Sequence, residues 1–302
     1  MFLLLITLLL LCSFVIPQTG ELIQKLSINP PYIDQGFHIQ DWDFGGDSIV
    51  DAISGIYLTP DIPSRRGMIW STITLPENGW SVEFEFFVGS KNKDTLYGDG
   101  LAFWATKERS EPGTVFGNRN YFNGLGIFFD TYANGKNWSK MPLVVGMLGD
   151  GKKSYDESTD GLSNSFGSCS GIEFRQTDIP VKAKITYIAG KLLDVKLSVN
   201  GFEWKDCMNV KDFTIPSDLY LGFSAITGQL SDAHRLINVN TFKVDDANVQ
   251  RILNQNQATP VNNHGSNSSF VPTILKLVLV CGVLFGVYFG YKTYSKRNYS
   301  RF

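Results

Sequence analysis

Histidine and cysteine are scarce in this chain, with three and four among 302 residues. His38, His234 and His264 are far apart and no cysteine stands at zinc spacing from another, which weighs against a Cys/His metal centre. No motif places a Ser/His/Asp or Cys/His arrangement, and no glycine-rich loop has phosphate-cradling spacing. The formal net charge is only −2, without a basic patch interleaved with aromatics, which argues against a nucleic-acid partner. There is also no long apolar stripe of 3.6-residue period, so a helical bundle does not fit. Long apolar runs occur only at the two ends.

Residues 2–16 are apolar apart from Thr7 and Ser13, and the first charge is Glu21. That run has the length of a signal-peptide core and is too short to span a bilayer. A signal peptide over 1–20, cleaved between Pro17 and Gly20, is expected; an uncleaved anchor is the alternative. The second run, "VPTILKLVLVCGVLFGVYFGY" over 271–291, is long enough to cross as one transmembrane helix. Its one charge, Lys276, is near the entry end, where a long stem can snorkel. Lys292, Lys296, Arg297 and Arg301 follow it, while the preceding stretch carries only His264. The positive-inside rule puts the tail, 292–302, in the cytosol and the rest in the lumen, as a single-pass type I membrane protein. Cys12 then falls in the signal and Cys281 in the span. The remaining pair, Cys169 and Cys207, forms a disulfide by default in an oxidising lumen, two buried thiols being the other reading. Closing that loop of roughly 40 residues stabilises a fold by about 4 kcal/mol in the chain-entropy model.

Between the ends, over 21–245, short alternating runs recur: "WSVEFEFFV", "GLAFWAT", "LGIFFDTY", "AKITYI", "LLDVKLSV" and "LYLGFSAI". Turn signals such as Asn134-Gly135, Ala189-Gly190 and Asn200-Gly201 separate them, the last predicting a tight hairpin. The spacing predicts one all-β sandwich. From Asp246 the composition turns polar, which predicts a short stalk over 246–270 with a brief helix in "VQRILNQ". Asn137 and Asn267 head glycosylation sequons on the lumenal side; Asn298 heads another in the cytosolic tail, where it stays bare.

One run ends in an alternating set of oxygen donors. "GLGIFFDTYANGKNW" delivers Asp130, Tyr132 and Asn134 at every second position. An Asx turn accounts for that pattern as readily as a metal loop does. Calcium takes six to eight oxygens from carboxylates, amides, backbone carbonyls and waters. "DTYAN" supplies the Asp130 carboxylate, a carbonyl near Tyr132 and the Asn134 amide, and needs another carboxylate. The cluster "DGKKSYDESTDG" offers Asp150, Asp156, Glu157 and Asp160. It is not an EF-hand, since the Asp-x-Asp-x-Asp-Gly start and the twelfth-position Glu are missing.

Taken together, "GDGLAFWAT", "GTVFGNRNYFNGLGIFFDTYAN", "SYDESTDG", Cys169 with Cys207, and "GFSAITGQLSDAH" have an order and spacing that resembles the intracellular L-type (legume-like) lectins. The likeness is strongest to the vesicular integral-membrane and ER–Golgi intermediate-compartment mannose lectins, over Leu26 to Val244. It implies a concanavalin-like jelly-roll β-sandwich that holds Ca²⁺ and binds high-mannose N-glycans on glycoprotein cargo in the early secretory pathway (ER, intermediate compartment and Golgi). By position, the calcium ligands are Asp130, the Tyr132 carbonyl, Asn134 and Asp160. The sugar contacts are Ser64 in "PSRRGMIW", Asp99 in "GDG", Asn134, Glu157 and the loop Gly228-Gln229-Leu230. The plant relatives' transition-metal site has an acidic residue where this chain has Phe128, so calcium alone is expected.

Two positions depart from that pattern: Glu157 replaces the usual histidine, and Gln229 stands where Asp or Gly is common. Glu157 accepts from hydroxyls but cannot donate as a neutral imidazole does, and it adds negative charge near Asp99. Altered or lost sugar binding, with a role as a protein-contact trafficking adaptor, is therefore the second reading; a solvated loop residue is the plain one. A glycosidase is the third. "EFEF" places Glu83 and Glu85 about 6.5 Å apart on one strand face, near the separation glycosidases use. Val82, Phe84 and Phe86 on the opposite face make the glutamates a solvated outer face, and no enzyme activity is expected. In the tail, Tyr299 and Ser300 occupy the positions of the family's dilysine signal, while Phe302 resembles an aromatic export signal for vesicle-coat proteins.

Overall fold

The computed structural model describes residues 20–90, 97–135 and 140–257. The expected signal peptide, Asn137, Asn267, the 271–291 span and the tail with Phe302 lie outside them. Among the described residues no helix is long and apolar enough to cross a membrane. The chain divides into a unit ending at Asn256 and a second from Gln257; only the first is described below.

Two antiparallel sheets make the first unit. The larger runs β14 (Lys205–Lys211), β13 (Leu192–Ser198), β12 (Val181–Ile188), β6 (Gly79–Gly89), β16 (Ala233–Lys243), β4 (Gly55–Thr59) and β3 (Ile49–Asp51), with β1 (Glu21–Leu22) added to β16. The smaller runs β11 (Gly167–Ser170), β10 (Leu143–Asp150), β9 (Asn123–Asp130), β7 (Gly100–Thr106), β15 (Tyr220–Ile226), β5 (Arg66–Thr74) and β2 (Trp42–Gly46), while the short β8 (Pro112–Val115) lies outside both sheets. Neighbours in space are mostly distant in sequence, as in a jelly roll.

Strand β6 shows why the sequence alternates. Trp80, Val82, Phe84, Phe86 and Val88 point between the sheets and are fully buried. Their rings meet those of the other sheet, Phe84 with Phe223 at 4.9 Å and Phe86 with Phe129 at 5.1 Å between centroids. Fully burying one such side chain is worth roughly 1.5–3 kcal/mol. On the outward face Glu83 and Glu85 lie opposite Lys184 and Lys182 of β12.

The central strands of the smaller sheet, β7 and β9 among them, are buried on both faces and so read as continuous apolar runs, unlike edge strands β2 and β11. Phe103, Ile127 and Phe129 face the larger sheet, while Trp104, Phe122 and Phe128 enter a second core under the loops. Phe128 packs against Phe116 at 5.1 Å and Tyr155 at 5.2 Å, so an aromatic ring fills its side of the strand.

The disulfide joins Cys169 on edge strand β11 to Cys207 on edge strand β14, fastening the two sheets where the sandwich is open. The Asn200-Gly201 hairpin is longer than a two-residue turn: β13 ends at Ser198 and β14 begins at Lys205. The Asn200 side chain accepts from the Phe202 and Glu203 N–H groups and so stabilises a wider loop. Helix α1 (Asp246–Gln257) includes "VQRILNQ" and seats Val249 and Ile252 against Ile188, Leu192 and Val244.

Register places the loops. Asp130, at the end of β9, is opposite Gly100 of β7 and Leu143 of β10; Gly100 is opposite Ile226 of β15, and Ile226 opposite Arg66 of β5. The turns beside these residues therefore share one rim.

Candidate carbohydrate and metal site

The Asp130 carboxylate is buried at the turn that follows β9. Its Oδ1 accepts from the Tyr132 N–H at 2.9 Å, while its Oδ2 has no hydrogen-bond partner. Burial pushes this carboxyl well above the ordinary carboxylate range, and the charges of Asp160 and Asp99 push the same way. Asp160 is also fully buried, in a left-handed conformation after a short 3₁₀ turn. Its Oδ1 accepts from the Asn134 N–H at 2.7 Å, tying it to the same turn.

The other acids of the cluster are turned elsewhere. Asp150 accepts from the Lys152 and Lys153 N–H groups in its own turn. Asp156 accepts from Ser158, Thr159 and Ser163, and these bonds lower its pKa to about 2. Asp160 is thus the carboxylate that the fold sets against "DTYAN", a choice that sequence order left open.

Among the described residues no three His, Cys, Asp or Glu side chains gather as a metal cluster. The turn offers a different set: two buried carboxylates, the exposed Asn134 and backbone carbonyls. That is the hard oxygen chemistry calcium takes. An ionised carboxylate with an unpartnered buried oxygen is costly unless a cation meets it. The residues present therefore fit a divalent cation.

Asp99 sits immediately beside this turn. Its carbonyl accepts from the Thr131 N–H at 2.9 Å and from the Thr131 hydroxyl at 3.1 Å. Its half-buried carboxyl is pushed up to about 6, first by burial and then by the Glu157 charge. Glu157 is itself exposed, and it shares the electrostatic neighbourhood of Asp99. Gly228 closes the other side, since a Cβ there would stand 3.3 Å from the Asp99 Oδ2. The Gly228 carbonyl accepts from the N–H of exposed Ser64, which has φ 57°. Gln229 is exposed and Leu230 half-buried on the same loop. The fold thus brings Ser64, Asp99, Asn134, Glu157 and Gly228–Leu230 to one rim beside Asp130 and Asp160.

Two groups at the site escaped sequence reasoning. Tyr155 is half-buried under the turn with its hydroxyl enclosed and unpartnered, and burial and the surrounding carboxylates push its pKa up. Arg175 forms a bidentate pair with buried Asp232 at 2.8 and 2.9 Å. No spacing rule joins residues so far apart; the only signal was that Asp232 lies in "GFSAITGQLSDAH".

With that geometry in hand, the chain compares closely with known proteins. The legume-like lectin family matches residues 19–251. An L-type lectin-like domain-containing protein of Schizosaccharomyces pombe is 34% identical over 226 residues, 74% of this chain and 72% of that protein. The VIP36-like protein of Homo sapiens is 34% identical over 232 residues, 75% of this chain but 66% of its own length. The VIP36 exoplasmic/lumenal domain in its Ca²⁺-bound form superposes with a TM-score of 0.69 at 33% identity, covering 74% of this chain and 93% of that domain. Its Ca²⁺/Man-bound form gives 0.69 at 35% identity, over 74% and 91%. The concanavalin-like sandwich and the Cys169–Cys207 disulfide stand as the sequence predicts. The chain belongs to the legume-like lectin family.

Proposed function

We propose that this protein is a calcium-dependent lectin for mannose and high-mannose N-glycans, serving as a cargo receptor in ER–Golgi glycoprotein transport. Calcium is held by Asp130, the Tyr132 carbonyl, Asn134 and Asp160, and when bound it supplies the positive charge that neutralises the two buried carboxylates. Asp99 accepts from sugar hydroxyls, the Asn134 amide donates, and the backbone N–H groups of Gly228–Leu230 complete the cradle with Ser64 and Glu157. The observation that carries this reading is the pair of Thr131 bonds to the Asp99 carbonyl, which make the metal-holding turn and the sugar acceptor one unit. The calcium- and mannose-bound forms of VIP36 support it. The segment 271–291 anchors the lectin domain on the lumenal side, Asn137 and Asn267 are glycosylated there, and the tail meets coat proteins through Phe302.

A glycan array probed with the full chain tests this, with and without a chelator. Calcium-dependent binding of mannose-terminated glycans is the expected result, and silence across the array with calcium present would refute it. That silence would favour the adaptor reading, in which the Glu157 charge beside Asp99 has disabled the cradle.

A further inference from the structure

The turns that carry the proposed sugar contacts are fastened to one another by a buried charge pair outside the cradle. Asp232 is fully buried, and its two carboxylate oxygens grip the Arg175 Nε and Nη2 at 2.8 and 2.9 Å. The same guanidinium stacks on Tyr97, with its carbon 3.4 Å from the ring centroid. Meanwhile the Asp232 N–H donates to the Gly98 carbonyl at 3.1 Å. The segment Tyr97-Gly98-Asp99 is therefore held twice before it reaches Asp99, once by a side chain and once by backbone.

Other bonds extend the assembly from the same loop. Ser231 Oγ donates to Asp61 at 2.8 Å, Thr227 Oγ1 donates to the Ile62 carbonyl at 2.7 Å, and the Ser64 N–H donates to Gly228. Arg175 comes from a separate connection, between β11 and β12, and contributes nothing to the rim itself.

A buried ion pair is weak support for stability, because desolvating two charges cancels much of their attraction. It is good at fixing geometry, and a planar guanidinium that both forks onto a carboxylate and stacks on a ring fixes more than lysine does. We propose that Arg175 is a positioning residue for sugar recognition: clasped by Asp232 and stacked on Tyr97, it sets where the Asp99 carboxylate stands relative to Gly228. This rests on the lectin reading above. The clasp lies on the Gly98 side of Asp99 and the metal-holding turn on its Thr131 side, so mannose affinity depends on the clasp far more than calcium affinity does.

The test compares the full-length protein with Arg175→Lys, Tyr97→Leu and Tyr97→Phe, reading calcium and mannose affinities separately by titration calorimetry. Arg175→Lys and Tyr97→Leu are expected to weaken mannose binding by about tenfold, the scale of one lost stacking or forked contact. Calcium affinity stays within about twofold, and Tyr97→Phe, which keeps the ring face, binds as the parent does. Should Arg175→Lys fail to fold, the Tyr97 pair decides. Parental mannose affinity in Tyr97→Leu, or equal losses of calcium and mannose binding, would overturn the proposal. Hydrogen exchange at 97–99 and 227–232 separates the two claims. If the parent itself ignores mannose, the lectin reading fails; faster exchange confined to those loops in Tyr97→Leu then upholds the clasp, and unchanged exchange overturns it.

Discussion

On the outer face of the larger sheet, Glu83 and Glu85 pair with Lys184 and Lys182 at 2.8 and 3.3 Å. At the rim of the smaller sheet, Asp130 and Asp160 are buried side by side, and one Asp130 oxygen has no hydrogen-bond partner. The glutamates came from strand alternation, so their partners sit across the next strand and the chain supplies its own cations. The aspartates came from turns that converge through register, and each accepts from a backbone N–H of the Asp130–Asn134 turn, while Asp130 Oδ2 is left without a hydrogen-bond partner. Carboxylates paired across neighbouring strands are surface chemistry, whereas a buried carboxylate with an unpartnered oxygen, as at Asp130, marks a candidate cation site.

The largest effect is expected from Asp130→Asn. Calcium affinity measured by titration calorimetry is expected to fall at least about 100-fold, because both ligand charge and an oxygen are lost. The rise in melting temperature that calcium gives the parent disappears with it. Retained calcium binding in this variant would place the ion elsewhere.

An acid effect of comparable size is expected at a third kind of buried group. His234 bonds Thr59 through Nδ1 at 2.7 Å and has Nε2 unpartnered; burial and the nearby Arg175 lower its pKa from 6.5 to about 3. The folded state refuses a proton that the unfolded chain accepts. Its contribution to stability is complete above pH 6.5 and is lost as pH falls towards 3, by up to about 1.4 kcal/mol per pH unit. Urea unfolding across that window in the parent and in His234→Gln checks it, with a shallower acid slope expected in the variant.

A smaller gain is expected from Glu157→His, which removes the like charge beside Asp99. Mannose affinity should rise roughly tenfold, on the scale of one partly screened charge. A calorimetric titration showing no gain would return Glu157 to the status of a solvated loop residue. Least of all, Glu83→Gln with Glu85→Gln should leave calcium and mannose binding untouched and shift stability by no more than about 1 kcal/mol, since exposed pairs contribute little. A loss of glycan binding or processing in that double variant would reopen the glycosidase reading.

Much of this fold was legible because burial writes itself into period. "GLAFWAT" coincides with β7, and "WSVEFEFFV" lies within β6, whose inward and outward faces alternate as written. The wider Asn200 hairpin was not legible, since the same Asn-Gly pair suits a tight turn and a side-chain-capped loop. The helix in "VQRILNQ", with Val249 and Ile252, was legible, but its start at Asp246, three polar or small residues earlier, was not. At the rim, family resemblance pointed to Asp160, but the residues alone left four acids to choose from; the Asn134 N–H bond made the choice. The Arg175–Asp232 clasp depends on three-dimensional adjacency that no spacing encodes.

If calcium couples the Asp130–Asp160 turn to the Asp99 cradle, sugar binding must depend on both the ion and Asp130. A high-mannose glycan titrated into the parent and into Asp130→Asn, each with calcium present and after chelation, decides this. Binding heat is expected only for the parent with calcium. Equal heat in all four titrations would contradict it, because sugar recognition would then owe nothing to the buried carboxylates.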